Sequence, residues 1–261
     1  GGLGLFLFGM QLMGNGLEVA AGDSLKSILQ KLTSNRFLGV LVGAGVTAII
    51  QSSSATTVMI VGFVNAKMMT LQQAVWIIMG ANIGTTITGQ LIALDIGALA
   101  PLLAFIGIVM MSFMKKKKTQ DIGQIIAGLG ILFIGMNLMS TAMMPLRESQ
   151  KFVDIVTHFS NPLIGILVGA LFTAIIQSSS ASVGILQALA TSGIIGLHEA
   201  VYVLFGQNIG TCITAVLASI GSSREAKQTT IIHLTFNIVG TILFTIICLA
   251  TPLVNFVIHF T

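Results

Sequence analysis

Two clusters of glutamine and serine, in otherwise apolar sequence, are the residues of this chain best suited to bind a ligand. The stretch from Thr47 to Ala55 contains Gln51–Ser54 and recurs letter for letter at 173–181, a shift of 126 residues. Glutamine and serine supply amide carbonyls, amide N–H groups and hydroxyls. A helix that begins at such a cluster adds free backbone N–H groups and a positive dipole end, which favour an anion. The same oxygens suit an alkali cation, so each cluster predicts a site for an oxyanion and a cation together.

A second polar segment recurs at the same shift. Gly80–Thr86 in the first half corresponds to Gly206–Cys212 in the second, and each places an Asn between two glycines within an apolar run. Glycine is a poor helix former, so we expect a helix break here in each half. Paired discontinuous helices indicate a transporter site at a repeat interface. Interhelical hydrogen bonding by Asn and Thr is the alternative interpretation.

The charges that these segments lack restrict the mechanism. Neither the clusters nor the predicted broken helices contain Lys or Arg, and no Asp or Glu lies in the middle of an apolar run. A proton relay normally uses buried carboxylates or histidines, and we interpret His233 as a packed or interfacial residue. A bound cation must then supply the positive charge that an anionic substrate needs.

The elements that hold these clusters are predicted to be membrane helices. The chain is 54% hydrophobic and 8% charged, with a mean hydropathy of +0.99, whereas soluble domains carry about 25% charged residues. Six uncharged runs reach or exceed the ~18 residues of a membrane span, which predicts an all-α polytopic membrane protein. The net charge of +4 does not indicate nucleic-acid binding, because the basic residues lie in short loops between the runs. The runs cover 37–66, 68–94, 96–114, 122–146, 159–197 and 200–223.

Two topologies compete for the run 37–66. Its polar centre at Gln51–Ser54 leaves arms of about a dozen residues, which are short for full spans and suit a re-entrant hairpin. If the run is re-entrant, each half crosses the membrane three times and the halves are inverted; if it crosses, the halves are parallel. The inverted topology puts ten basic residues on the cytoplasmic side and two on the outside. The parallel topology puts five basic residues on the cytoplasmic side and seven on the outside. The positive-inside rule therefore selects two inverted-topology repeats, each with a re-entrant helical hairpin and a discontinuous helix.

The repeat also predicts the segments between the apolar runs. Residues 22–36 and 147–158 correspond to each other, and the sequence from Asp23 predicts an interfacial helix before each hairpin, with a polar loop as the alternative. Gly1 in place of an initiator Met indicates a trimmed start. The predicted units are a first repeat at 1–114, a cytoplasmic basic linker at 115–121, a second repeat at 122–250 and a C-terminal segment at 251–261.

The paired clusters resemble those of the type II sodium–phosphate cotransporter family in its bacterial form. That family carries a Gln-Ser-Ser-Ser motif in each of two inverted repeats, followed by an Asn-Ile-Gly-Thr segment, here Asn82–Thr85 and Asn208–Thr211. The resemblance covers about residues 2–250. It implies a secondary transporter, not an enzyme, that moves inorganic phosphate with co-transported sodium by alternating access, without an organic cofactor. A passive anion channel and a phosphate-sensing membrane protein remain as alternatives.

The same resemblance assigns roles to the motif residues. The serines and asparagines are expected to bind phosphate, and the glutamines and neighbouring hydroxyls are expected to bind sodium. The halves differ after the motif, where Thr56-Thr57 corresponds to Ser182-Val183, so their cation sites cannot be identical. The expected phosphate ligands are Ser52, Ser53, Ser54, Ser178, Ser179, Ser180, Asn82 and Asn208; the expected sodium ligands are Gln51, Gln177, Thr56, Thr85, Thr211 and Ser182.

The resemblance further predicts where the chain acts and with what. We expect a multi-pass protein of the cell inner (plasma) membrane, with both ends of this chain on the extracytoplasmic side. Its expected partners are inorganic phosphate, sodium and the lipid bilayer, and a homodimer is left open. Many bacterial relatives append a cytoplasmic regulatory domain that the sequence through Thr261 does not contain, so a separate regulatory protein is also left open.

Overall fold

The architecture is a set of membrane-length helices and shorter helical arms. The structure is a computed structural model that describes residues 1–21, 35–94, 97–145, 149 and 158–260, and these residues contain no strand. Five of the helices are long and apolar enough to cross a membrane, which confirms an all-α polytopic membrane protein. The helices are α1 (Gly2–Ala21), α2 (Arg36–Ile50), α3 (Ser53–Asn65), α4 (Leu71–Ala93), α5 (Ala100–Phe113), α6 (Lys117–Met143), α7 (Pro162–Ile176), α8 (Ser179–Thr191), α9 (Leu197–Thr211), α10 (Ile213–Ala218), α11 (Arg224–Ala250) and α12 (Leu253–Phe260).

Each glutamine-serine cluster is the turn of a helical hairpin. In the first repeat α2 has 15 residues and α3 has 13, so neither exceeds about 22 Å, against a hydrocarbon core of about 30 Å. Helix α2 runs parallel to α4, because Gly39 lies against Trp76 while Gly84, further along α4, lies against Thr47. Helix α3 then returns to Asn65, shortly before α4 begins. Both ends of the hairpin therefore lie at the same end of α4, and residues 37–66 do not form a single crossing helix.

The two repeats run in opposite directions. Helices α1 and α6 correspond under the 126-residue shift, which places Gly2 on Gly128 and Gly9 on Gly135. They pack closely through these glycines. The two helices are antiparallel, because residues with higher numbers in α1 contact residues with lower numbers in α6. Equivalent helices with opposite direction are the defining geometry of an inverted repeat. The contacts are Gly2 with Met139, Gly9 with Leu132, and Gly16 with Ile125.

The prediction of a discontinuous helix in each repeat is wrong for the first repeat. Helix α4 continues without interruption through Gly80–Thr86. In the second repeat the helix is interrupted at Cys212, the last residue of the corresponding segment, where α9 gives way to α10. The glycines serve close packing instead: a methyl group on Gly80 would collide with the Val40 carbonyl, and one on Gly206 with the Ile166 carbonyl. Small residues let membrane helices approach closely, and this requirement outweighs glycine's low helix propensity.

Other predicted segments are only partly covered by the structure. The proposed interfacial helices at 22–36 and 147–158 lie almost entirely outside the described residues. Within the basic linker 115–121, α6 has already begun at Lys117, whose ammonium group lies 2.8 Å from an Asp121 carboxylate oxygen one turn later. The predicted run 96–114 contains α5, which has only 14 residues and is not among the five helices of membrane-spanning length.

Candidate functional site

The two cluster turns have the same backbone. Gln51 ends α2 with a left-handed conformation at φ 58°, and Gln177 ends α7 at φ 59°. The next residue is extended and caps the following helix: the Ser52 hydroxyl accepts from the Ala55 N–H, at 3.1 Å, and Ser178 does the same in the second repeat. A left-handed residue followed by a capping serine reverses the chain, so the motif itself encodes the hairpin tip.

The tips of the two hairpins meet. The Ser53 and Ser179 hydroxyl oxygens are 3.4 Å apart, and both residues are buried. The Ser180 hydroxyl donates to the Gln51 carbonyl oxygen across the interface, at 3.5 Å. Helices α3 and α8 begin at Ser53 and Ser179, so two helix N-termini converge on one point. The arrangement brings serine hydroxyls and two positive dipole ends together, and no basic side chain of the described residues lines the adjoining cavity.

The two motif glutamines have different surroundings. Gln51 is buried, with 6% of its surface exposed, and its amide nitrogen donates to the Ala48 carbonyl. Its amide oxygen is buried and has no hydrogen-bond partner among the described residues. Gln177 is exposed. Of the two motif glutamines, Gln51 therefore has the buried, unsatisfied amide oxygen expected of a cation ligand, and Gln177 does not.

A hydroxyl pair joins the two arms of each hairpin. Thr47 in α2 bonds Thr56 in α3, with the hydroxyl oxygens 3.1 Å apart, and Thr173 bonds Ser182 in the second repeat at 2.8 Å. Thr56 and Ser182 are expected sodium ligands, whereas no role was predicted for Thr47 and Thr173. These two threonines begin the identical nine-residue stretches, which was the available signal.

A cavity of about 280 Å³ opens beside the tips and is formed by both hairpins and α1. Its residues include all three serines of each motif, Ser52–Ser54 and Ser178–Ser180, together with Gln51. Helix α1 contributes the carboxylate of Glu18, and among the residues that the structure describes no Lys or Arg lines the cavity. A carboxylate at the boundary of the cavity attracts cations and repels anions.

The Asn-Ile-Gly-Thr segments line a second cavity, of about 430 Å³, on another side of the tips. Asn82, Asn208 and Thr85 contribute to it, and Ser179 and Ser180 line both cavities. The structure thus brings the expected phosphate ligands Asn82 and Asn208 next to the second tip. The Thr85 hydroxyl donates to the carbonyl of Ala81 in its own helix, at 3.0 Å.

Two further expected ligands also have hydroxyls that bond within their own chain segments. The Thr211 hydroxyl donates to the Gln207 carbonyl at 2.8 Å, and Thr211 lines neither cavity. The Thr56 hydroxyl is within 3.1 Å of the Ser52 carbonyl as well as of Thr47. Their assignment as sodium ligands remains a prediction, and it requires these hydroxyls to accept a cation while donating their protons.

Helix α11 carries a buried polar stripe that was not predicted from the sequence. Thr229, Thr230, His233, Asn237 and Thr241 are all buried, at the spacing of one helix face. Asn237 accepts a hydrogen bond from the Asn82 amide at 3.2 Å, so α11 supports the first Asn-Ile-Gly-Thr segment. A 3.6-residue polar periodicity in an apolar helix was the signal that could have revealed it.

Comparison of the sequence with known proteins finds a matching family and several relatives. A profile described as Na+/Pi-cotransporter matches residues 5–141 and again 143–260, once in each half. The uncharacterized protein YqeW of Bacillus subtilis (strain 168) is 35% identical over 236 residues, which cover 90% of this chain and 76% of that protein. A protein of Escherichia coli (strain K12) whose name describes inorganic phosphate export, YjbB, is 29% identical over 92% of this chain and 44% of its own length.

A shorter match reaches animal proteins. Sodium-dependent phosphate transport protein 2B of Homo sapiens is 34% identical over 96 residues, which are 36% of this chain and 14% of that protein. This chain therefore spans less than half the length of the export and animal relatives that it matches. No solved structure matches the chain.

Proposed function

The chain belongs to the Na+/Pi-cotransporter family, and from this premise we propose that it transports inorganic phosphate across the membrane together with sodium. The family model and the relatives named for phosphate export or phosphate transport describe transporters, so the function is transport and not catalysis. We place phosphate and sodium at the meeting point of the two hairpin tips. The observation that carries this placement is the 3.4 Å approach of Ser53 and Ser179, which brings two helix N-termini to one site.

The electrostatics of the tips support coupling to a cation. Each helix N-terminus carries roughly half an elementary charge, so two of them offset about one of the up to two negative charges of phosphate. Within the described part of the chain, the residues that line the cavity at the tips include Glu18 but no Lys or Arg. Even one charge in mid-membrane costs at least roughly 2.5–3.5 kcal/mol. The remaining positive charge must come with the substrate, and sodium beside the buried Gln51 oxygen supplies it.

The direction of net transport follows the gradients. Some relatives are named for phosphate export and others for sodium-dependent phosphate transport. A coupled transporter moves phosphate either way, because alternating access exposes the same site to each side in turn. We propose that this chain carries phosphate in the direction of the sodium gradient in vitro.

The test is phosphate flux in sealed proteoliposomes that contain the purified chain. Radiolabelled phosphate is supplied outside with an inward sodium gradient, and in parallel with choline at equal ionic strength. We expect phosphate to accumulate above its external concentration only with the sodium gradient, and a sodium ionophore to abolish the accumulation. Liposomes loaded with sodium and phosphate test the opposite direction.

Two outcomes would reject the proposal. Equilibration of phosphate without accumulation would indicate a passive channel, and phosphate binding without flux would indicate a sensor. The matched variants are Ser53→Ala, which removes a hydroxyl from the tip, and Ser222→Ala, which changes a serine in the turn between α10 and α11. Flux should fall in the first and persist in the second.

A further inference from the structure

We propose that Asn237 of α11 is a positioning residue that determines anion specificity, because it orients the Asn82 amide at the second cavity. In this orientation the Asn82 oxygen accepts the proton of a P–OH group, and sulfate has no such proton at neutral pH. The choice of phosphate as ligand rests on the proposed function, whereas the selection between anions can be measured by binding alone.

Hydrogen bonds fix the orientation of the Asn237 amide. Its nitrogen lies 3.0 Å from the His233 carbonyl oxygen and 3.3 Å from the Cys212 sulfur. A carbonyl oxygen can only accept, so the atom of Asn237 that faces it must be the nitrogen. The Asn237 oxygen therefore faces Asn82, whose amide nitrogen donates to it at 3.2 Å. Because Asn237 is buried, water does not compete for these bonds.

The bond to Asn237 determines which atom Asn82 offers to a ligand. Asn82 lines the second cavity and Asn237 does not, so the Asn82 nitrogen is turned toward α11. The Asn82 side chain is half-buried, and its amide oxygen accepts no hydrogen bond from the described residues. Asn82 therefore contributes an acceptor, and not a donor, to a cavity that Ser179 and Ser180 of the second tip also line.

An acceptor at this position distinguishes tetrahedral oxyanions by their protons. Inorganic phosphate keeps at least one P–OH group at neutral pH, and this hydroxyl can donate to the Asn82 oxygen. Sulfate is fully ionised, so one of its oxygens would face the Asn82 oxygen as acceptor against acceptor. A site built to bond a substrate hydroxyl rejects an analogue that lacks it, because the site's polar group is left unpaired. Arsenate keeps its proton as phosphate does and should be accepted.

The repeat supplies an asparagine without such a partner. The shift of 126 residues aligns Asn82 with Asn208, which lines the same cavity and is exposed. It aligns Asn237 with Met111, whose side chain has no amide that could hold Asn208. Within the described part of the chain the Asn208 side chain makes no hydrogen bond, so its amide can rotate and present either atom. Asn82 is thus a fixed acceptor, and Asn208 is an adaptable ligand.

The experiment is isothermal titration of the purified chain, at a constant high sodium concentration, with phosphate, arsenate and sulfate in separate titrations. The unmodified chain should bind phosphate and arsenate with similar affinity and sulfate at least about tenfold more weakly, since a hydrogen bond to a charged group is typically worth tenfold or more. Asn237→Met copies the residue of the first repeat and releases the Asn82 amide to rotate. Its sulfate affinity should rise, so that the ratio of phosphate to sulfate affinity falls about tenfold.

Three further variants separate positioning from a general effect on the fold. Asn237→Asp keeps an oxygen that accepts from Asn82, so it should keep the selectivity. Thr241→Val removes a buried hydroxyl from the same face of α11, where it donates to the Phe205 carbonyl, and should leave the affinity ratio unchanged. Asn208→Ala should weaken phosphate and sulfate binding alike, because the lost amide can adapt to either anion.

Asn82→Leu removes the acceptor itself and should also lower the affinity ratio, so the test does not depend on the folding of Asn237→Met. An unchanged ratio in both variants would overturn the proposal, as would equal sulfate binding or rejection of arsenate by the unmodified chain. Loss of both anions in both variants would also overturn it, because Asn82 would then serve binding and not selection. None of these results bears on sodium-driven flux of the unmodified chain. Conversely, selective binding without flux would reject only the proposed function.

Discussion

Replacement of Gln51 by Ala is expected to weaken sodium binding far more than replacement of Gln177 by Ala. The two residues hold the same position in the repeat and have nearly the same left-handed backbone, at φ 58° and 59°. They differ in burial, since Gln51 is buried with an unsatisfied amide oxygen and Gln177 is exposed. The pair is therefore a matched comparison in which the side chain's environment is the main variable.

The expected magnitude follows from that difference. A bond from a buried group to a charge is worth about 1.5–3 kcal/mol, which corresponds to roughly tenfold to 150-fold in affinity. Substitution of an exposed side chain usually changes the free energy by about 0.5 kcal/mol or less, roughly twofold. Alanine in a left-handed conformation costs energy, but both variants carry this cost, so it cancels in the comparison. Gln51→Gly, which has no such cost, should give the same loss of sodium affinity.

The assay is sodium titration by calorimetry, repeated at saturating phosphate. Linkage requires phosphate to increase the affinity for sodium by the same factor by which sodium increases the affinity for phosphate. Gln51→Ala should reduce that factor. Equal losses of sodium affinity in the Gln51 and Gln177 variants would refute the argument from burial. A larger loss for Gln177→Ala would reverse the assignment of the two half-sites.

Two further predictions concern packing and topology. Gly43→Ala should lower the free energy of unfolding by about 1–3 kcal/mol, because the added methyl group meets the Ile77 carbonyl. The control is Gly45→Ala, two residues further along α2, where the methyl group enters open space and should not destabilise the chain. Thermal unfolding measures both changes. In a chain without its native cysteines, single cysteines at Lys67 and Lys117 should react with an impermeant reagent from one side of the membrane and a cysteine at Thr191 from the other. Labelling of all three from one side would contradict the inverted repeat.

The hairpins were predictable because polar residues interrupt the apolar run that forms each of them. Four polar residues at the centre of a long apolar run leave arms that are too short to span the membrane, and the structure places the turn at Gln51 and Ser52. The exact recurrence at Gln177 predicted the second hairpin with no further information. Local sequence determines a helix end wherever capping residues replace apolar ones.

The continuity of α4 was not predictable from propensity alone. Gly80 and Gly84 lower the helix propensity of their segment, but both are needed where α2 approaches α4. A glycine that breaks a helix and a glycine that admits a neighbour give the same sequence signal. The sequence also could not predict that Gln51 is buried and Gln177 is exposed, because two identical motifs give no information about differences in their tertiary environments.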